Sequence, residues 1–500
     1  MKTHKITIHP AEVHGSEVMF SWSINPPQNL YIKNRFTLNF PAFVDLSKVP
    51  ESLWWRIALI CLHSQWPLLR PCEVHLPVRL NPGEAETWSR LLETEITTLE
   101  YYRGSKGFSR RIEILDDGPE LSNPPAESES DLCATAFSGG KDSLTQVGLL
   151  SELGYKPALV TTTSPVPWTN DHKTWRRRHV LKEIQRRRDV TLVEIKTDFR
   201  SNFHYFVAPG IGDEVAINVI TDTLLYSGIL IAAGYALGAR HFFLAAENEV
   251  HETMMINGEI IQHPHYMYSV ITQASLAAIL RPLGISYSAM TSPVRASQVQ
   301  ELLWTRYADL SDLQYSCWLA KRHQKICSRC SQCLRLAFGA MAAGGDPSLI
   351  GVRWIKLLNA NSNWIPRRME NLASALTPQM STGIHLDAQT ARSIIAISPE
   401  KMEETLKRDS FLLRLTPSGR NAMKVFLQMR ERALASHPGP PPGYRPGFLK
   451  FVDGLVRERL ESIYSSRFSI EEPAQGQSLI SLIDEQIKWI TEPIDNNMMH

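Results

Sequence analysis

Cysteine is sparse, long apolar runs are missing and neither sign of charge dominates; each absence excludes a class of protein. Seven cysteines in 500 residues, four of them between positions 317 and 333, do not make a disulfide framework. They suit a reducing compartment and a metal site, with Cys61, Cys72 and Cys133 read as small buried hydrophobes. The longest apolar stretch, 226–239, is too short to span a bilayer and is interrupted by Gly228 and Gly234. Residues 1–7 alternate like a strand and lack the apolar core of a signal peptide, so a cytoplasmic location without membrane contact is expected. With 53 basic and 51 acidic side chains the net charge is only +2, which argues against a polycation built for nucleic acid. No internal repeat is present.

What is present is ordinary globular composition, 43% apolar and 21% charged, over a length that calls for two or three domains. Residues 1–125 mix short alternating strands (5–9, 17–23, 35–40, 73–78) with two helices (51–63, 83–101), the pattern of an α+β domain. A polar, Pro- and Ser-rich stretch to Asp131 reads as a linker. From Leu132 strand and helix alternate strictly. Apolar strands are expected at 132–137, 157–163, 190–195, 241–246 and 286–290, and helices at 143–153, 174–187, 222–237 and 268–280. That order predicts an α/β fold, a doubly wound parallel sheet over 126–345, with its site at the carboxyl ends of the strands. Residues 346–500 read as mainly helical, with segments at 416–435, 447–464 and 477–490 and a Pro-rich loop at 437–443.

Two features carry chemistry. The first is Ser138-Gly139-Gly140-Lys141-Asp142-Ser143, placed between a buried strand and a helix start. Glycines let backbone approach a phosphate, and a helix N-terminus offers free amides and a positive dipole end. Ser138 and Ser143 add hydroxyls, Lys141 a point charge, and Asp142 a carboxylate suited to Mg²⁺. Thr161, on the same rim, joins the nucleotide-binding set. The spacing is not that of a Walker A loop. The second feature is Cys317, Cys327, Cys330 and Cys333, spaced as C-x9-C-x2-C-x2-C. Four thiolates at that spacing make a closed, structural Zn²⁺ site; an iron–sulfur cluster also fits four cysteines, and His323 is an alternative fourth ligand.

The glycine loop resembles the PP-loop of N-type ATP pyrophosphatases. Together with Ser316-Cys317-Trp318, the cysteine knuckle and Leu334-Arg335-Leu336-Ala337-Phe338, it makes residues 132–340 similar to QueC, the 7-cyano-7-deazaguanine synthase family. The resemblance implies ATP on Ser138–Ser143, with Lys141 and Asp142 catalytic, and Zn²⁺ on the four cysteines. It also implies a 7-carboxy-7-deazaguanine substrate, adenylated at its carboxylate and attacked by an amine. The chain departs from QueC at Thr221-Asp222-Thr223, where that family has an Arg-Asn pair, and at Glu247-Asn248-Glu249-Val250-His251-Glu252, where its Tyr-Pro-Asp-Cys-Arg signature is missing. Asp222, Glu247 and Asn248 are therefore the substrate candidates. The departures bear on the family's second, nitrile-forming step, and the long flanks look more like the QueC-like proteins of bacterial antiphage defence operons. In that group the acyl group is thought to pass to the N-terminal amine of a partner protein, which makes such coupling the leading expectation.

The alternatives are nitrile synthesis with ammonia in queuosine biosynthesis, a non-catalytic nucleotide-binding scaffold, and tRNA modification by the same adenylation logic. The basic segment 172–189 carries Arg triplets that wrap a helix instead of lining one stripe, the mark of a solvated face. Glu249 stands beside Glu247 as a further Mg²⁺ or substrate candidate, and homo-oligomerisation stays open.

Overall fold

A computed structural model of the chain describes residues 3–28, 30–103, 111–123, 132–163, 172–202, 214–263, 265–317, 319–320, 324–366, 378–409, 417–439, 441–471 and 479–498, with the side chains of 64–65, 68, 172–177, 200, 214–223 and 378–386 left aside. The strands are β1 (His4–Ile8), β2 (Glu12–His14), β3 (Glu17–Asn25), β4 (Arg35–Asn39), β5 (Cys72–Leu76), β6 (Ile112–Asp116), β7 (Cys133–Ala136), β8 (Ala158–Thr163), β9 (Thr191–Thr197), β10 (His241–Phe243), β11 (Thr253–Ile256), β12 (Glu259–Gln262) and β13 (Ser286–Ser288). All but β11 and β12 belong to one sheet, ordered β13-β10-β7-β8-β9-β4-β3-β1-β5-β6, with β2 beside β3.

The five strands expected between 132 and 290 are all there, and all pair in parallel. From β7 the chain moves to β8 and β9 on one side, then returns to place β10 and β13 on the other. β7 and β10 therefore flank the topological switch point, where strand order reverses and an open α/β sheet forms its ligand crevice.

The sequence leads one to expect a separate α+β domain before residue 126. The sheet does not stop there. β4 pairs antiparallel with β9, Leu38 opposite Thr197 and Asn39 opposite Lys196, so the N-terminal strands extend the same sheet. Strand alternation shows which residues pair but not across which edge, and the two halves meet through two register pairs that no local pattern announces.

Two cores cover the two faces. Ala134, Val160, Val193 and Phe242 point into one, with the helices Glu51–Leu62, Glu84–Arg103, Glu214–Ala236 and Val270–Leu280. Cys133, Leu159 and Phe243 point into the other, with Lys141–Glu152, Ala296–Thr305, Ser331–Ala342 and most of the C-terminal helices. The apolar stretch 226–239 lies in the helix Glu214–Ala236, whose described side chains are buried almost all round. A Cβ on its Gly234 would stand 2.6 Å from the Cβ of Ala134, so glycine here permits close helix–sheet approach. No described helix is long and apolar enough to cross a membrane.

The C-terminal region is helical, as expected, and the described residues add three helices to the expected segments, Trp354–Ala360, Pro378–Ala396 and Pro399–Asp409. Its last helix, Leu479–Met498, crosses back to the N-terminal part, where Arg90 pairs with Glu492 at 3.0 Å and Gln486 donates to Thr94.

Candidate nucleotide site and cysteine centre

The glycine loop leaves β7 and enters the helix Lys141–Glu152. Gly139 has φ +81°, a conformation L side chains rarely adopt. Its N–H donates to Ser143 Oγ at 3.0 Å, and Ser143 Oγ donates to the Gly140 carbonyl at 3.2 Å. Gly140 is the N-cap, extended and with no side chain closing the first turn, so the first amides of a twelve-residue helix are left for an anion.

Lys141 Nζ lies 2.5 Å from Asp142 Oδ1 and 3.4 Å from Glu247 Oε1. Glu247 follows β10 across the switch point, so the fold joins two loops 100 residues apart in one charged cluster. Burial and the neighbouring Glu247 push the Asp142 carboxyl up to about 7. Partial burial raises Glu247 too, but the Lys141 charge together with hydrogen bonds to Asp142, Lys141 and the backbone outweighs it and holds the group down to about 2. One ammonium thus faces two carboxylates, and a proton resides mainly on Asp142. Such a donor set suits a divalent cation, which takes carboxylate oxygens and removes the need for that proton. Thr161, on β8, is 3% exposed, and its Oγ1 has no hydrogen-bond partner among the described residues, which fits a group that meets a ligand.

The other candidates fall differently. Asn248 is fully buried and committed: its Nδ2 donates to Ser292 O at 2.7 Å and its Oδ1 accepts from Arg445 Nη1 at 2.9 Å. Glu249 accepts from the Ala296 N–H at 3.0 Å, at the start of the helix Ala296–Thr305, and also from Gln389 Nε2. Both brace the Glu247 loop. Asp222 sits in the helix Glu214–Ala236, and its side chain lies outside the described residues.

Sequence reasoning missed what braces that loop from the far end of the chain. Arg445 and Arg295 share the Glu471 carboxylate, at 2.6 and 2.9 Å. No spacing links positions 248, 295, 445 and 471, and only the Pro-rich loop ahead of Arg445 marks a fixed turn there.

The four cysteines converge as expected: their sulfurs all lie within 4.8 Å of one another. Cys327 and Cys333 are 3.7 Å apart and Cys330 and Cys333 3.4 Å, near the roughly 3.8 Å edge of a tetrahedron with ~2.3 Å Zn–S bonds. Ser328, at φ +51°, turns the knuckle, and its Oγ accepts from Arg353 N–H at 3.0 Å. Trp318 and His323 lie outside the described residues. The centre also touches the loop. Tyr315 N–H donates to Gly139 O at 3.0 Å, and its ring lies where a Cβ on Gly139 would come within 2.2 Å.

On the basic helix His172–Arg187 and just after it, the described arginines face carboxylates: Arg178 with Glu194, Arg186 with Glu183, Arg187 with Asp312 and Arg188 with Asp309. That agrees with a solvated, paired face.

Comparison with protein-family models, curated proteins and solved structures finds no match.

Proposed function

We propose that this chain is an ATP-dependent enzyme that cleaves ATP between its α and β phosphates to adenylate a carboxylate, then passes the acyl group to an amine. The observation that carries this reading is the cluster of Lys141, Asp142 and Glu247 beside an uncapped helix N-terminus at the switch point. Loop amides, the Ser138 hydroxyl and Lys141 bind the phosphates, and the glycines let them come close. Asp142 and Glu247 would hold Mg²⁺, which supplies countercharge for the departing pyrophosphate. In the first step a substrate carboxylate oxygen attacks the α-phosphorus and pyrophosphate leaves. In the second an amine attacks the acyl carbon, AMP leaves, and the nitrogen loses a proton. The four cysteines would hold Zn²⁺ and brace the loop through Tyr315, with no part in bond-making.

The similarity of residues 132–340 to QueC supports 7-carboxy-7-deazaguanine as the carboxylate, and the long flanks support a protein N-terminus as the amine in antiviral defence. The test is to incubate the chain with ATP, Mg²⁺ and 7-carboxy-7-deazaguanine, alone and with candidate acceptor proteins, and to follow nucleotides by chromatography and proteins by intact mass. AMP, pyrophosphate and a mass gain on the acceptor are expected. Free nitrile product would favour 7-cyano-7-deazaguanine synthesis, and ATP bound but unconsumed would favour a scaffold.

A further inference from the structure

Beyond Glu247 the chain makes one 3-10 turn, Asn248–His251, and enters the hairpin of β11 and β12, closed by Asn257 and Gly258 at positive φ. Thr253 stands opposite Gln262 at the open end of this hairpin, so His251 and His263 flank that pair. Four polar groups gather here with hydrogen-bonding capacity unused. His251 and Gln262 are fully buried, and among the described residues His251 Nε2, Gln262 Nε2 and the Thr253 hydroxyl have no hydrogen-bond partner. His263 is 7% exposed, and its Nε2 makes no hydrogen bond among the described residues.

The two imidazoles are fixed alike. His251 Nδ1 accepts from the Val270 N–H at 3.0 Å and His263 Nδ1 accepts from the His265 N–H at 3.0 Å. In a neutral ring an accepting Nδ1 leaves the proton on Nε2. Each ring thus offers one N–H donor, and His251 is further held against the Phe448 ring, centroids 5.5 Å apart. Burial keeps both rings neutral, with pKa values pushed down to about 3, although Glu247 and Glu252 pull the other way on each and His265 and Arg445 add to the depression. The Ala246 carbonyl also pulls on His251 without closing a hydrogen bond to Nε2. Groups that stay neutral donors at working pH are poor general bases. They are suited to oxygen acceptors, and leaving His251 Nε2, Gln262 Nε2 and the Thr253 hydroxyl unpaired in an interior is costly.

We propose that the open end of this hairpin is the acyl-substrate site, in which His251 Nε2–H, His263 Nε2–H, Gln262 Nε2 and the Thr253 hydroxyl hold the carbonyl and carboxylate oxygens of a planar heterocyclic acid. The substrate class rests on the adenylation reading above; the donor site itself does not. It lies one short turn from Glu247, on the β10 side of the switch point.

The test separates the two. His251→Asn and His263→Asn keep an acceptor for the backbone N–H and remove the Nε2–H with the outer edge of the ring; Gln262→Glu keeps the acceptor for Ser269 Oγ and replaces the donor. Binding of 7-carboxy-7-deazaguanine is titrated calorimetrically against the full chain with a non-hydrolysable ATP analogue present, so no turnover is needed. Each variant is expected to weaken the probe at least tenfold, with analogue affinity within twofold of wild type, in titrations run below the variant's own melting temperature. Thr253→Val, the mildest change, covers the case in which a histidine variant fails to fold. Probe affinity that is unaltered in the variants, or absent in the wild type, overturns the site. Lack of AMP formation despite probe binding sinks the adenylation reading and leaves the donor site standing.

Discussion

Two charged clusters, one sealed and one half-buried, sit beside the same sheet, and their balance differs. In the N-terminal half, Arg56 meets Glu84 at 2.6 Å with both side chains essentially inaccessible; Arg56 also donates to Ser52 O and Asn123 Oδ1, and Glu84 accepts from the Asn81 N–H. One positive and one negative charge cancel, and the pair ties the helix Glu51–Leu62 to Glu84–Arg103. At the switch point Lys141 faces both Asp142 and Glu247, which keep about a fifth of their exposure (25% and 22%). A pair cancelled by its own side chains and sealed is scaffold; a half-open cluster whose second carboxylate is cancelled only by an exchangeable proton has capacity left for a ligand. Burial alone does not distinguish function from packing, whereas charge balance and access do.

The largest effect that tests this contrast belongs to the scaffold. Glu84→Gln strands the Arg56 guanidinium in the core and should cost ~3–5 kcal/mol of folding free energy, as breaking a buried pair does. Urea denaturation measures it, and AMP formation per folded molecule should be unchanged. A large activity loss with stability intact would reverse the assignment of the two clusters. Lys141→Met should do the opposite. AMP formation should fall ~10²–10³-fold, the loss of one preorganised charge at the reacting phosphates, while stability shifts by under ~1 kcal/mol because the group is partly hydrated. Equal damage to both quantities would make Lys141 scaffold too.

Much of this site was legible in the chain because its signals are local. Six consecutive residues specify the glycine loop, and seventeen positions contain all four cysteines. The five parallel strands were equally readable, since each is an apolar run between helical periods. The joins were not. β4 meeting β9, Arg445 reaching Asn248, and Tyr315 packing on Gly139 are contacts between segments whose separation is set by the whole topology. The β11–β12 hairpin did leave a mark, Asn257-Gly258, the favoured two-residue turn between strands, and attention to it would have found the hairpin.

A smaller effect probes the join between loop and cysteine centre. Gly139→Ala puts a methyl into the Tyr315 ring at positive φ, and should cost ~1–3 kcal/mol through strain and displacement. Because Tyr315 stands two residues before Cys317, the variant should also release zinc faster to a chelator in a colorimetric assay. Unchanged release would mean that the loop and the metal centre are independent.

The smallest effect is a slope in pH, and it separates the clusters without touching the scaffold. Asp142 is raised to about 7 from an ordinary 3.8, so between those values the folded chain keeps a proton that the unfolded chain has lost. Its stabilising contribution is complete below the ordinary carboxylate range and disappears as pH rises through about 7. Glu247, lowered to about 2, acts with the opposite sign at the acid end, stabilising above the ordinary carboxylate range and losing that as pH falls toward 2, outside this window. Urea midpoints at pH 4.5, 5.5, 6.5 and 7.5 should therefore decline more steeply in wild type than in Asp142→Asn, with groups remote from Asp142 cancelling in the difference. Mg²⁺ with an ATP analogue should flatten the wild-type slope, because a cation held by Asp142 and Glu247 replaces the proton. Glu84 is also raised by burial, against the pull of Arg56, but that sealed pair has no capacity for a cation. Mg²⁺ should thus erase only the part of the slope that Asp142→Asn erases, and parallel curves for wild type and variant would mean that Asp142 holds no proton for a cation to replace, which takes away the spare capacity that the contrast assigns to this cluster.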